Sequence, residues 1–174
     1  MKELTSERLK LRQITDDDFE IMRHLDIDPV VKKYLGPPSP ESDTYKRMDK
    51  IKRLRNEGSP LGYWMGEIKA SGEPIGWFVL NHVQETEYIE IGYRLLEKHW
   101  SNGYATEGSQ VLLNHGFSDL NLDLIIGITH QENEPSKHVL KKIGLIEKGI
   151  RHFYDMDVCY FELDKEDYSL SIVK

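Results

Sequence analysis

The sequence predicts a mixed α/β (α+β) fold, a central sheet with helices packed on its faces. Three observations predict it. Short alternating or β-branched runs recur along the chain between turn residues. Apolar runs of helical period stand between them. The stretch Trp100–Glu107 joins one strand-like run, Tyr88–Leu95, to the start of an apolar-periodic helix.

Taken in order, Glu7–Gln13 alternates, with Leu9 and Leu11 on one side, and reads as a strand. Thr15 then caps a helix with Asp16, Asp17 and Asp18 in its first turn, running to about Leu25. Asp28-Pro29 starts a short helical piece ending near Leu35, and residues 36–40 break the chain as a loop. Glu41–Asn56 is a polar helix stopped by Gly58. Strands follow at about Leu61–Lys69, Pro74–Val83 and Glu87–Leu95, the first two joined as a hairpin through Ser71-Gly72-Glu73. The helix after Gly103 ends near Phe117. Leu122–Thr129 is a strand. Pro135–Ile143 is a helix with proline in its first turn and Gly144 at its stop. Strands around Leu145–Tyr154 and Val158–Leu163 finish the chain.

At 174 residues, 39% hydrophobic and 30% charged, the chain reads as one folded domain, residues 1–174. The one cysteine, Cys159, excludes an internal disulfide and suits a reducing compartment. The N-terminus lacks the apolar core of a signal peptide, and no window approaches the roughly 20 apolar residues of a membrane helix. A cytoplasmic protein without a membrane partner is expected. The net charge of −7 argues against broad nucleic-acid binding. The seven histidines show neither a His-Glu-x-x-His pairing nor a Cys-His cluster, so no metal site is expected.

A strand, a short glycine loop and a helix start present unpartnered N–H groups to an anion. Gly103 and Ala105 leave room for a phosphate to approach the main chain. The loop lacks the Gly-Lys-Ser/Thr of a Walker motif and the three-glycine spacing of a dinucleotide fold. The same residues also read as an ordinary turn, with Thr106 and Glu107 serving the first helical turn. A second site lies at Asn133–Leu145, where Asn133 precedes a helix, Ser136 follows three residues on, and Ile143-Gly144-Leu145 ends it. Alone, that is a capped helix.

Together these pieces resemble the Gcn5-related N-acetyltransferase (GNAT) superfamily over essentially the whole chain. They look most like its branch of ribosomal-protein N-terminal acetyltransferases. The resemblance rests on Glu7–Arg12, Asp28-Pro29, Glu90–Leu95, Trp100–Glu107, Asn133–Ser136 and Lys142–Leu145, in that order. It implies a mostly antiparallel sheet of about six to seven strands, splayed between two parallel central strands that end at Leu95 and Thr129. Acetyl-coenzyme A, the co-substrate, would lie in that opening. The resemblance places its pyrophosphate on the N–H groups from Ser101 through Asn102, Gly103, Tyr104 and Ala105 to Thr106, with Trp100 opening the loop. Asn133 would bond the pantetheine arm, and Tyr93, Leu95, Thr129 and Ser136 complete the binding set. Family loops often carry a cation where this chain has Asn102. Lys98, His99, Lys137 and Lys141 are the candidates to compensate.

A lysine-like amine, with a pKa near 10.4, arrives protonated, so the reaction needs a proton acceptor. Glu90, mid-strand between Ile89 and Ile91, is the first candidate; burial would raise its pKa. It reads equally as a solvated carboxylate, or as one paired with Arg94 on the same strand face. Glu97 is the second candidate, and otherwise a solvated loop charge. The resemblance implies that the Leu95 N–H stabilises the oxyanion. Many members use a tyrosine acid seven residues after the Asn. That position is Leu140 here, and the branch implies Ser136 instead, which is otherwise a helix-face or capping hydroxyl. Cys159 reads as a buried small hydrophobe. Tyr34, Tyr63, Trp64, Trp77 and Phe78 flank the expected acceptor cleft.

The expected activity is acetyl transfer from acetyl-coenzyme A to a primary amine by direct attack. The amine is a protein N-terminus or a small molecule such as a polyamine or aminoglycoside; monomer or homodimer is left open. The alternatives are a non-catalytic coenzyme-A-binding sensor or interaction module, and a nucleotide-binding fold that prefers ATP or NAD.

Overall fold

The computed structural model describes residues 2–83 and 86–172. The eight strands are β1 (Leu4–Thr5), β2 (Leu9–Gln13), β3 (Gly62–Ile68), β4 (Pro74–His82), β5 (Ile89–Leu95), β6 (Leu124–His130), β7 (Ile146–Phe153) and β8 (Met156–Asp164). They form one sheet in the order β1-β2-β3-β4-β5-β6-β8-β7. Every neighbouring pair is antiparallel except β5 and β6. The short β1 takes the strand number one beyond the expectation.

Five helices cover the sheet: α1 (Phe19–Ile27), α2 (Glu41–Asn56), α3 (Tyr104–Asn114), α4 (Glu134–Lys142) and α5 (Lys165–Ile172). Strand alternation sorts the core into two layers. Phe78 and Leu80 of β4 and Ile91 and Leu95 of β5 face Leu112, Leu113 and Leu140, on the side of α3 and α4. Trp77 and Val79 face Met22, Leu25, Met48 and Ile51, on the side of α1 and α2. Because both faces of β4 are covered, Ile75–Asn81 is buried throughout instead of alternating.

Three local readings need correction. The helix expected from Thr15 begins as a 3-10 turn, Asp16–Asp18, because the Asp18 carboxylate accepts from the Thr15 N–H at 2.8 Å. Residues 28–35 form successive turns, not a helix; the Asp28 carboxylate accepts from the Val30 N–H and competes with helical pairing. The helix after Gly103 changes at residue 115 into a π-helical turn, His115–Asp119. The sequence reading also missed α5, which the Asp164 side chain caps by accepting from the Asp167 N–H.

Glycines let α3 and α4 approach the sheet. A Cβ at Gly108 of α3 would lie 2.3 Å from the ring of Phe78, and one at Gly127 of β6 would lie 2.5 Å from Leu140. Phe78 is fully buried and has nowhere to move. Gly108→Ala is therefore expected to lower stability by about 1–3 kcal/mol in urea denaturation. That loss outweighs the ~1 kcal/mol that alanine contributes as a helix former. A more stable variant would show that α3 does not rest on Phe78.

Candidate active site

The parallel strands β5 and β6 share a single registered pair, Glu90 with Ile126. Beyond it they separate, although β5 continues to Leu95 and β6 to His130. On its other edge β5 stays paired with β4 through Gly76–Leu95. Leu96 N–H donates to Ile75 C=O at 2.9 Å. Residues alternate between the two edges of a strand, so the Leu95 N–H points the other way, into the opening.

The loop at the mouth of this opening has the backbone of an anion cradle. Ser101 (φ 60°) and Gly103 (φ 80°) are both left-handed. The first helical bond of α3 runs from Glu107 N–H to Gly103 C=O. No side chain caps the helix, so the N–H groups of Tyr104, Ala105 and Thr106 lack intrahelical partners. Trp100 anchors the loop, its indole N–H donating to Leu95 C=O at 2.9 Å. Asn102 donates to Trp100 C=O. The four expected compensating cations are each engaged with another group. Lys98 pairs with Glu73, and His99 is buried between Glu73 and Tyr104. Lys137 pairs with Glu134 and Lys141 with Glu147.

The cation that does reach the loop is Arg8, which the sequence reading overlooked. It stacks 4.7 Å from the Tyr104 ring centroid and donates to Asn102 C=O at 3.1 Å. Its guanidinium and backbone N–H both bond Glu107, which also accepts from Ser6. Arg8 is thereby neutralised by Glu107, which leaves the backbone N–H groups as the free donors of the loop. Free donors, a mouth without net negative charge and an open strand edge fit a pyrophosphate joined to an amide-bearing arm.

On the α4 side, Asn133 accepts from Ser136 N–H at 3.2 Å and so caps its own helix. Burial raises the Tyr93 hydroxyl pKa, and the nearby Ser136 side chain pulls it back in part. Thr129 is buried near the end of β6. Leu140 packs on the bare backbone of Gly127.

On the other side of the sheet, Glu90, Gly92 and Arg94 share a face with their partners Asn81, Val79 and Trp77. Glu90 does not pair with Arg94, because Arg94 bonds Asp26 at 2.6 Å. Glu90 instead accepts from the Tyr154 hydroxyl at 2.6 Å. Burial raises the Glu90 pKa above the usual carboxylate range; the Tyr154 bond and the nearby Lys50 pull it back only in part. Tyr154 and Asp155 form the two-residue turn between β7 and β8, both with positive φ, as a type I′ hairpin requires. No local sequence signal links Tyr154 to a carboxylate 64 residues away. Glu97 is exposed in a 3-10 turn, Glu97–His99. Of the five aromatics, Tyr63 and Trp77 lie on the Glu90 face, and Tyr34 stacks beside His130 at the end of β6. Trp64 and Phe78 belong to the opposite layer. Cys159 is buried in β8. Among the described residues no helix is long and apolar enough to cross a membrane, and no cluster of metal-ligating side chains occurs.

Two parallel strands that part after one pair, with an uncapped helix N-terminus at their mouth, are the arrangement that the resemblance to the GNAT superfamily implies. The acetyltransferase (GNAT) domain family matches residues 8–146, and the chain belongs to that family. The uncharacterized N-acetyltransferase p20 of Bacillus licheniformis is 32% identical, over 97% of this chain and 99% of that protein. The spermidine N(1)-acetyltransferase of Escherichia coli K12 is 26% identical, over 81% of this chain and 74% of its own. Among solved structures, an acetyltransferase from Agrobacterium tumefaciens superimposes with a TM-score of 0.83 at 26% identity, covering 94% of each chain. The protein is an acetyl-coenzyme-A-dependent N-acetyltransferase.

Glu107 carries a pH-dependent test. Burial alone would raise its pKa, but the bonds from Ser6 and Arg8 outweigh it and hold the carboxyl below its ordinary value. Stability from a depressed carboxyl is present above the unfolded value near 4.3 and is lost as pH falls through the folded one. Glu107→Gln is expected to cost about 1–3 kcal/mol at pH 7. The gap from wild type should close as pH falls below about 4. A gap that persists unchanged at low pH would contradict the ionised network.

Proposed function

We propose that residues 1–174 form one N-acetyltransferase domain acting by direct attack of a neutral primary amine on the thioester. The observation that carries this reading is the opening between β5 and β6, with Glu90 on one side of the sheet and the uncapped loop on the other. The N–H groups of residues 101–106 hold the pyrophosphate. The backbone beside Tyr93 and Leu95, together with Thr129, Asn133 and Ser136, holds the pantetheine arm. Glu90 takes the proton of the attacking amine, directly or through water, and the Leu95 N–H supports the charge on the carbonyl oxygen. The departing thiolate, from a thiol of pKa about 8.5, needs little help. The Ser136 hydroxyl donates to it.

Within the family, Trp100–Glu107 and Glu90–Leu95 support the branch of ribosomal-protein N-terminal acetyltransferases, although relatives include a spermidine acetyltransferase. The acceptor is a primary amine, on a protein N-terminus or a small molecule. A single buried cysteine supports a reducing, cytoplasmic setting. The non-catalytic alternative is not retained, because the matched relatives are named as transferases.

A base must be ionised, so kcat/KM should rise with pH through the raised Glu90 pKa, not near 4.5. In a thiol-release assay Glu90→Gln should lose that limb and fall about 10²- to 10⁴-fold. Tyr154→Phe removes a bond that favours the carboxylate, so its limb should move to higher pH. An unchanged profile in Glu90→Gln would remove Glu90 from the role.

A further inference from the structure

The Glu90 face holds a second group of charges that amine deprotonation does not use. Arg94 and Trp77 are register partners at its far end, separated from Glu90 by the side-chain-free Gly92. Arg47 of α2 covers them. Both guanidiniums lie over the Trp77 ring, at 5.0 Å for Arg94 and 5.8 Å for Arg47. Both bond one oxygen of Asp26, whose other oxygen accepts from Thr44. Lys32 is buried nearby and donates to Ser39, whose N–H bonds the Asp26 carbonyl. Asp43 is also within electrostatic range of Lys32, but it is exposed at its edge and pairs with Lys46. The buried group therefore sets three cations against one carboxylate, in a chain whose net charge is −7.

Its hydrogen bonding is incomplete as well. Arg47 Nε, Trp77 Nε1 and Arg94 Nε are buried without an acceptor. The Arg94 side chain is only 10% exposed, whereas that of Arg47 is 23% exposed and forms the open side of the group. The electrostatic consequences agree in sign. Burial, and then Arg47, push Arg94 down to about 10; burial, and then Arg94, lower Lys32. Burial is the larger cause of both shifts, and the neighbouring cation adds to it in the same direction.

We propose that this group is an acceptor subsite for an anion, so that the preferred substrate is a primary amine bearing its own carboxylate. The proposal rests on the acetyltransferase reading and names the substrate class of that site. A carboxylate arriving beside Arg47 can pair with the exposed edge of its guanidinium and supply the missing counter-charge. The amine of the same molecule then lies toward Glu90. Nearby cations also favour the neutral, attacking form of that amine. A polyamine brings further positive charge to the same group and supplies no acceptor for its N–H donors.

The test compares amines that differ by one carboxylate: phenylalanine with phenethylamine, lysine with cadaverine, and ornithine with putrescine, in a thiol-release assay. The carboxylate-bearing member of the reactive pairs should have at least a tenfold higher kcat/KM. Arg47→Gln should collapse that ratio through KM, with Arg47→Lys retaining part of it. The thermal shift produced by coenzyme A should persist in both variants and shows that they fold. Equal or better rates with the decarboxylated amines, or an unchanged ratio in Arg47→Gln, would overturn the inference and leave the acetyltransferase reading standing. Stabilisation by acetyl-coenzyme A with no thiol released by any amine would take both down.

Discussion

Everything in this protein follows from two parallel strands that pair once and then part. Glu90 and Ile126 are in register; from there to Leu95 and His130 the interior edges of β5 and β6 face each other without pairing. A buried backbone group without a partner costs about 1–3 kcal/mol, so an opening inside a sheet persists only where surrounding packing enforces it. The enforcement is visible on both sides. On one face α3 rests its Gly108 backbone on Phe78, and α4 rests Leu140 on the bare Gly127. On the other, α1 and α2 close over Trp77 and Val79. The strands are held apart by the layers that cover them.

The two faces carry different chemistry as a result. The α3–α4 face offers backbone donors and little net charge, because Arg8 and Glu107 cancel each other at the loop. That pair also ties the start of β2 to the first turn of α3, fixing the direction in which the free N–H groups point. The α1–α2 face is rich in side-chain charge, with Glu90 at one end and the Arg47–Arg94–Asp26 group at the other. In the proposed reading, donor recognition draws on main chain and acceptor recognition on side chains.

The elements with strong period or clear punctuation were legible in the sequence: β2 to β8, α2, α4 with its Asn133 cap and Gly144 stop, and the loop from Trp100 to Glu107. What was not legible lies in contacts between distant segments. Residues 28–35 carry a helix-start signal, but the Asp28 side chain takes backbone donors locally. Nothing near Arg8 announces that it meets a loop almost 100 residues away, and nothing near Tyr154 announces Glu90. Glu90 with Arg94 was a reasonable pairing by strand spacing. It fails because the buried Asp26 is a better-enclosed partner for the arginine. The cap Asp164–Asp167 was readable and marks α5, whereas the π-helical turn at His115 has no comparable mark in the sequence.

The central claim is that the open edge of β5 is completed by coenzyme A. Amide hydrogen exchange at Leu95 and Leu96 tests it most directly, because adjacent amides point to opposite edges. Leu96 already donates to Ile75, so its exchange should be slow and unaffected by ligand. Leu95 should exchange quickly in the free protein and slow at least tenfold when acetyl-coenzyme A, which brings the thioester carbonyl, saturates it. Equal protection of both amides without ligand, or a Leu95 rate that acetyl-coenzyme A leaves unchanged, would contradict the account.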